Sequence, residues 1–242
     1  MATLPKIGEI KMPTLLAVNN DPKTIKSVEL GELTGILYLA PGALSDVNVC
    51  AFASAGCLEA CLNTAGRGAM NYIQNARIKK TKRFFEDRAA FMADTIRDIA
   101  SLERKAIKLA LNASVRLNGT SDIKWEKIPC GCHANLMEHF PNVTFYDYTK
   151  IPIRYRQNLP ANYKLTFSLN ENNESDAREA LGYGVNVAAV WRTAEQIPAE
   201  FLGHPVIIGD ESDARHLDRS GVVVALYAKG SAIKDTSGFV QD

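Results

Sequence analysis

Short apolar runs separated by polar stretches recur throughout the second half of the chain. The runs are Val115–Leu117, Val143–Tyr146, Lys164–Ser168, Val185–Val190, Pro205–Ile208 and Val222–Leu226. Helical or irregular stretches, such as Ser175–Leu181 and Thr193–Phe201, lie between them. Strands that alternate with crossover connections are typical of parallel pairing and of an α/β fold. Together with an earlier strand at Gly35–Leu39, the pattern suits a barrel or a wound sheet, and we predict a parallel, partial TIM-like barrel.

The first part of the chain shows a different pattern, in which short candidate strands are joined by turns. Thr14–Val18 and Ile25–Leu30 are the candidate strands, and residues 19–22 between them (Asn-Asn-Asp-Pro) are a strong turn signal. We therefore predict an N-terminal β-hairpin extension over residues 1–34 and a barrel-like core over residues 35–242. No linker-like stretch or charge block divides the chain, so we expect residues 1–242 to form a single domain.

Two helices are predicted between these regions. The first begins near Ala69, and the second runs from about Arg88 to Leu111, with apolar residues such as Phe91 and Ile99 at helical spacing. The first helix carries a basic run that comprises Arg77, Lys79, Lys80, Lys82 and Arg83. We expect this run to be a solvated helix face, with contact to a nucleotide or a nucleic acid as the alternative.

Polar clusters follow most of the predicted strands. Because the carboxyl ends of parallel strands meet on one side of a sheet, which is the functional face of α/β barrels, these clusters predict a shared pocket. The predicted pocket residues are Arg116, Asn118, Asp122, Asp147, Lys150, Ser168, Asn170 and Asp210. The alternative for each cluster is an ordinary polar turn or the cap of the following helix.

The near-equal numbers of basic and acidic residues limit the kinds of macromolecule that we expect the protein to bind. With 28 basic and 27 acidic residues the formal net charge is +1, whereas proteins that wrap nucleic acid usually carry a clear basic excess. We therefore expect no extensive nucleic-acid surface.

No apolar run is long enough to span a bilayer, and the N-terminus does not resemble a signal peptide, so we expect no membrane partner and a cytoplasmic location. The sequence leaves the oligomeric state open.

Three of the five cysteines fall close together in the segment VNVCAFASAGCLEACLNTAGRG, as Cys50, Cys57 and Cys61. In a reducing cytosol such clustering favours metal binding or catalysis over disulfides. Thiolates are soft ligands for zinc and for iron–sulfur clusters. A structural zinc site normally has four protein ligands, whereas a 4Fe–4S cluster held by three cysteines leaves one iron free. We favour the 4Fe–4S cluster; zinc and three buried thiols without a metal are the alternatives.

A second cysteine segment is Cys130-Gly131-Cys132-His133. It would supply further ligands if its loop folded to the same side of the protein as the first segment. The sequence does not decide whether Cys130, Cys132 or His133 takes part.

The cysteine segment and several later motifs resemble a family of uncharacterised tailed-phage proteins with a cysteine-rich loop. The motifs are VRLNGTSDIKWE, FYDYTK, LTFSLNENN, GDESDAR and GVVVALYAKG. More distantly, the layout resembles the partial barrels of radical S-adenosylmethionine enzymes, in which three cysteines after the first strand hold a 4Fe–4S cluster. The chain departs from that superfamily in its cysteine gaps of six and three residues and in lacking a Gly-Gly-Glu element.

The phage resemblance places the protein in the host cytoplasm. The radical-enzyme resemblance implies that Cys50, Cys57 and Cys61 ligate the cluster and that S-adenosylmethionine is a candidate cofactor of the predicted pocket. The leading hypothesis is a phage-encoded iron–sulfur protein, in the form of a radical S-adenosylmethionine-like enzyme that acts on a small-molecule substrate. The alternative is a non-catalytic module, stapled by zinc or a cluster, that binds a host protein or nucleic acid during infection.

Overall fold

A computed structural model describes residues 14–18 and 22–242, and its main feature is a sheet of ten strands. The strands are β1 (Leu16–Val18), β2 (Glu32–Leu37), β3 (Asn112–Arg116), β4 (Thr144–Thr149), β5 (Tyr163–Ser168), β6 (Val187–Trp191), β7 (Glu200–Phe201), β8 (His204–Ile208), β9 (Val223–Tyr227) and β10 (Val240–Gln241). The α/β class predicted from the alternating pattern is confirmed.

The sheet is mostly parallel, in the order β1-β2-β3-β4-β5-β6-β9-β8-β7. Strands β2 to β6 are neighbours in chain order, and every pair from β2 to β8 along the sheet is parallel. The two edge strands, β1 and β7, pair antiparallel with their neighbours. Strand β10 pairs with β6 at Val190 and Trp191, beyond the residues of β6 that pair with β5. The sheet does not close, so a barrel is not confirmed.

Six helices accompany the described strands: α1 (Pro22–Ser27), α2 (Ala55–Glu59), α3 (Asn71–Glu86), α4 (Arg88–Lys108), α5 (Leu136–His139) and α6 (Glu174–Gly182). Helix α4 packs on β2 and β3, α3 packs on α4, and α6 packs on β5 and β6. Asp87 separates the two long helices and caps the second, because its side chain accepts the Ala90 amide at 3.2 Å. No described helix is long and apolar enough to cross a membrane.

The two faces of the sheet differ in chemistry because successive strand residues point to opposite sides. Leu33, Val115 and Phe145 belong to the main hydrophobic core together with Phe91 and Ile99 of α4. The residues between them on the same strands are largely polar, as in Thr34 and Ser114, whose hydroxyls lie 2.9 Å apart. The second face is covered in part by the short 3-10 helix Arg215–Leu217, which contacts β4 and β5. On β2, β3 and β4 the second face of the sheet is therefore largely polar.

Two expectations about the first ninety residues were wrong. Residues 25–30 are not a strand but the end of α1 followed by a 3-10 turn, Val28–Leu30. Hence β1 pairs directly with β2, the first parallel strand, and the two are not a separate hairpin extension. Of the predicted turn at residues 19–22, residues 19–21 lie outside the described residues and Pro22 begins α1. The basic run is not uniformly solvated either, since Arg77 is buried against its neighbours although Lys79 and Lys82 are exposed.

Candidate functional site

A cavity of about 330 Å³ opens at the carboxyl ends of the parallel strands. Strands β2, β3, β4, β5, β6, β8 and β9 all contribute lining residues from their last positions or from the loops that follow. The polar lining includes Tyr38, Arg116, Asn118, Asp122, Tyr148, Lys150, Ser168, Asp210, Asp213 and Lys229. Most of the exposed surface of the cavity is nevertheless apolar, with Leu58, Val190, Leu226 and Phe239 among its walls.

All three cysteines of the first segment line this cavity. The segment lies in the long connection between β2 and α3. Cys57 is in helix α2, whose first turn is capped by Ser54: the Cys57 amide donates to the Ser54 hydroxyl at 3.2 Å. Cys61 follows that helix and caps the next 3-10 turn, since its sulfur accepts the Asn63 amide at 3.5 Å. The Cys50 thiol faces the Thr120 carbonyl oxygen at 3.9 Å.

Contacts from distant parts of the chain hold the cysteine segment against the sheet. The Glu171 carboxylate, which follows β5, accepts the Ser54 hydroxyl at 2.7 Å and the Gly56 amide at 2.9 Å. From the C-terminal end, Phe239 packs in a small apolar cluster that includes Ala60 and touches Cys57. A side chain at position 56 would collide with Ser237 and with Glu171. The segment is therefore fitted to its place by long-range contacts.

The three cysteines are half-buried, and their thiols influence one another. Burial is the main reason that the pKa of Cys50 rises to about 12, and Asp122 and the other two cysteines raise it further. Burial likewise raises the pKa of Cys61, while the cations Lys150 and Arg77 act in the opposite direction. Without a bound cation the Cys50 and Cys61 thiols are therefore neutral at physiological pH.

Among the described residues, no group of three or more His, Cys, Asp or Glu side chains is arranged so that it could hold a metal ion. One zinc ion requires all of its ligands at bond distance from one point. A 4Fe–4S cluster makes a different demand, because each cysteine binds a different iron atom and the sulfurs stay apart. The three thiols lie around one cavity, and their ligation of a cluster stays a prediction.

Six of the eight predicted pocket residues line the cavity, namely Arg116, Asn118, Asp122, Lys150, Ser168 and Asp210. Two do not. Asp147 points to the opposite face of the sheet, where its carboxylate accepts the Asn118 amide at 2.7 Å and the Tyr163 hydroxyl at 2.8 Å. Burial raises the pKa of Asp147 to about 7. Asn170 is buried in the loop before α6, where its side chain accepts the Asn172 amide at 2.8 Å. Asn170 serves as a turn residue, the alternative considered for such clusters, whereas Asp147 lies within strand β4.

The lining residues do not all offer free groups to a ligand. The Asn118 side-chain oxygen accepts the Ser121 hydroxyl, the Ile123 amide and the Trp125 indole, so this residue organises its own loop. That loop passes close over β2, where a side chain at Gly119 would lie 2.7 Å from the Leu37 carbonyl oxygen.

Lys150 and Ser168 are better placed to receive a ligand. The Lys150 ammonium donates to the Ser168 hydroxyl at 2.6 Å. It forms no ion pair within the described part of the chain. Asp122 lies close by, holding the Thr149 hydroxyl at 2.8 Å and the Lys150 amide at 2.7 Å. Arg116 stacks on the Tyr148 ring at 4.7 Å and reaches both oxygens of Asp213 at 3.3 Å.

The predicted set of pocket residues omits several residues of the site. Tyr38 and Asp213 line the cavity, Glu171 anchors the cysteine segment, and Arg77 lies buried beside Cys61. Glu171 and Asp213 stood within strand-end clusters, so that pattern could have found them. No local signal marks Arg77, because it belongs to a run of five cations on one helix.

The second cysteine segment lies apart from the cavity. Cys130 is fully buried in the main hydrophobic core, and Cys132 is exposed. Neither lines the cavity, and His133 packs its ring on His139 with the centroids 4.7 Å apart. In this arrangement Cys130, Cys132 and His133 supply no ligand to a site at the first segment.

The sequence profile of the Gene product 88 family matches residues 14–242. The chain therefore belongs to this family, in agreement with the resemblance to tailed-phage proteins. Searches against curated proteins and against solved structures give no match. The resemblance to radical S-adenosylmethionine enzymes finds no support in these comparisons.

Proposed function

We propose that this member of the Gene product 88 family is an iron–sulfur protein in which Cys50, Cys57 and Cys61 hold a 4Fe–4S cluster. One observation carries the proposal: the three thiols of one segment line a single cavity together with the polar ends of the parallel strands. The chemistry of the donors supports it further, because thiolates are soft ligands suited to iron–sulfur clusters.

The rest of the cavity is proposed to bind a small-molecule cofactor or substrate beside the cluster. A cluster with three cysteine ligands supplies a one-electron redox centre and an iron atom able to take a further ligand. Lys150 and Ser168 present N–H and O–H donors suited to an anionic group. The apolar walls, including Leu58 and Leu226, exclude water from that group and so strengthen its polar contacts.

The finer form of the proposal is a radical S-adenosylmethionine-like enzyme with a partial-barrel arrangement. The cysteine segment follows the first parallel strand, β2, and the cavity lies at the carboxyl ends of the other strands. For the carboxylate of the cofactor, Arg116 and Lys150 are the candidate partners. For its ammonium group Asp122 remains, because Asp147 faces away from the cavity.

The cluster is tested by anaerobic reconstitution with iron and sulfide, followed by metal analysis, visible absorbance and electron paramagnetic resonance of the reduced protein. We expect four iron and four sulfide per chain. One zinc per chain and no iron would overturn the proposal in favour of the zinc-stapled binding module. A protein that binds neither metal would leave the buried-thiol interpretation.

The enzymatic form is tested on the loaded, dithionite-reduced protein by adding S-adenosylmethionine and measuring 5′-deoxyadenosine. Product that disappears in Lys150→Met while the iron content stays the same would support a cofactor-binding role for this cavity. A fully loaded protein that neither binds nor cleaves the cofactor would restrict the function to that of an iron–sulfur protein with another ligand.

A further inference from the structure

Arg77 is a buried arginine in helix α3, directly behind the cysteine segment, with 8% of its surface exposed. Its guanidinium donates to the side-chain oxygen of Asn63 and lies over the Tyr38 ring, 4.8 Å from the centroid. Its Nε atom is buried and has no hydrogen-bond partner among the residues that the structure describes. The backbone N–H of Asn63 in turn donates to the Cys61 sulfur at 3.5 Å. A short chain of contacts therefore links this cation to the cysteine site.

Arg77 differs from the other buried arginines in having no carboxylate. Arg156 pairs with Glu126 at 2.6 Å, Arg116 with Asp213 at 3.3 Å, and Arg215 with Asp218 at 3.2 Å. Within residues 14–18 and 22–242, no carboxylate forms an ion pair with Arg77. Burying a charge without a counter-charge is costly, and buried cations are normally paired.

A second partly buried cation, Lys80, lies near Arg77, and the Asp98 carboxylate favours the charged form of Lys80. Lys80, one helical turn away, is largely shielded from solvent, and its pKa is lowered to about 8 by burial and by the charge of Arg77. Burial also lowers the pKa of Arg77, whereas Tyr38 and Cys61 are the groups that favour its charged form. Among the described residues, Cys61 is the member of the cysteine site that favours the charged form of Arg77, so its thiolate would place negative charge beside the guanidinium.

We propose that Arg77 is a positioning residue that compensates the negative charge of the loaded cysteine site and raises the reduction potential of its cluster. The inference rests on the proposed function. The three negative charges of the thiolates exceed the positive charge of an oxidised 4Fe–4S core by one, so the loaded site carries one net negative charge. Reduction by one electron adds a second negative charge. A buried cation stabilises the more negative, reduced form more strongly, and net charge is one of the factors that set cluster potentials.

The test compares the midpoint potential of the reconstituted wild-type protein with those of Arg77→Met, Arg77→Lys and Lys79→Met. Removing the buried charge in Arg77→Met should lower the reduced-to-oxidised ratio at a fixed potential about tenfold, which is about 59 mV for a one-electron couple. Arg77→Lys keeps the charge and should retain most of the wild-type potential. Lys79→Met removes an exposed charge from the same helix, so solvent screening should leave the potential nearly unchanged.

The outcomes separate the two proposals. A wild-type protein that assembles no cluster refutes the proposed function, and the inference falls with it. A loaded Arg77→Met protein with the wild-type potential refutes only the inference. If Arg77→Met retains no cluster, retention in Arg77→Lys supports the need for charge, whereas loss in both variants shows that the shape of the arginine matters and overturns the inference.

Discussion

The two cysteine segments of this protein differ in where the structure places their thiols. The segment Cys130-Gly131-Cys132-His133 has the denser ligand pattern, yet it forms a tight turn in which Cys130 and His133 exchange backbone hydrogen bonds at 3.0 Å. Its thiols are divided between the core and the surface. The segment from Cys50 to Cys61 has wide and unequal gaps, yet all of its thiols line one cavity. Position relative to the strand ends, and not residue spacing, decides which cysteines can act together.

The largest expected difference between the segments is in metal content. Cys50→Ser, Cys57→Ser or Cys61→Ser should abolish or nearly abolish the bound iron after reconstitution, since each removes one of the proposed ligands. Cys132→Ser is the matched control, because the same atom is exchanged at an exposed position outside the cavity. Iron analysis of the four purified variants decides the point. Equal losses in Cys132→Ser would contradict the division between the segments.

A second expected difference concerns thiol reactivity in the metal-free protein. With its pKa raised from 9.0 to about 12, Cys50 should carry about a thousandfold less thiolate at neutral pH than an unperturbed cysteine. Iodoacetamide should therefore label the exposed Cys132 first, and labelling of Cys50 should keep accelerating as the pH rises well above 9. Peptide mass spectrometry measures both rates, with denatured protein as the reference. Equal labelling of both residues in the folded protein would refute the expectation.

The smallest expected difference is in the free energy of unfolding that is lost when a carboxylate bonded to either segment is replaced by an amide. Glu171→Gln weakens two hydrogen bonds to the first segment, those from Ser54 and Gly56, and should lower the free energy of unfolding by about 1–3 kcal/mol. Glu138→Gln affects an exposed bond to the Ala134 amide beside the second segment and should cost less than about 0.5 kcal/mol. Urea unfolding of both variants provides the measurement. A Glu171→Gln protein as stable as the wild type would show that the first segment is held by its apolar contacts.

The local pattern of the chain was sufficient for the class of the fold. The apolar runs at the predicted strands coincide with β3, β4, β5, β6, β8 and β9 to within a few residues. Parallel pairing followed from the helical connections, and parallel pairing places the strand ends on one side. The cavity and most of its polar lining could therefore be anticipated. Residues 25–30 could not, because a short apolar stretch fits a strand as well as a helix.

Tertiary contacts determined which side chains line or support this cavity. Asp122 lies in the loop after β3 and lines the cavity, whereas Asp147 lies within β4, whose alternation turns it toward Tyr163 and away from the cavity. Glu171 meets Gly56 across 115 residues of chain, and no local pattern encodes such a pairing. Arg77 has the same sequence neighbourhood as the exposed Lys79. Its burial arises because the cysteine segment folds over that face of α3, and only the assembled structure brings the two together.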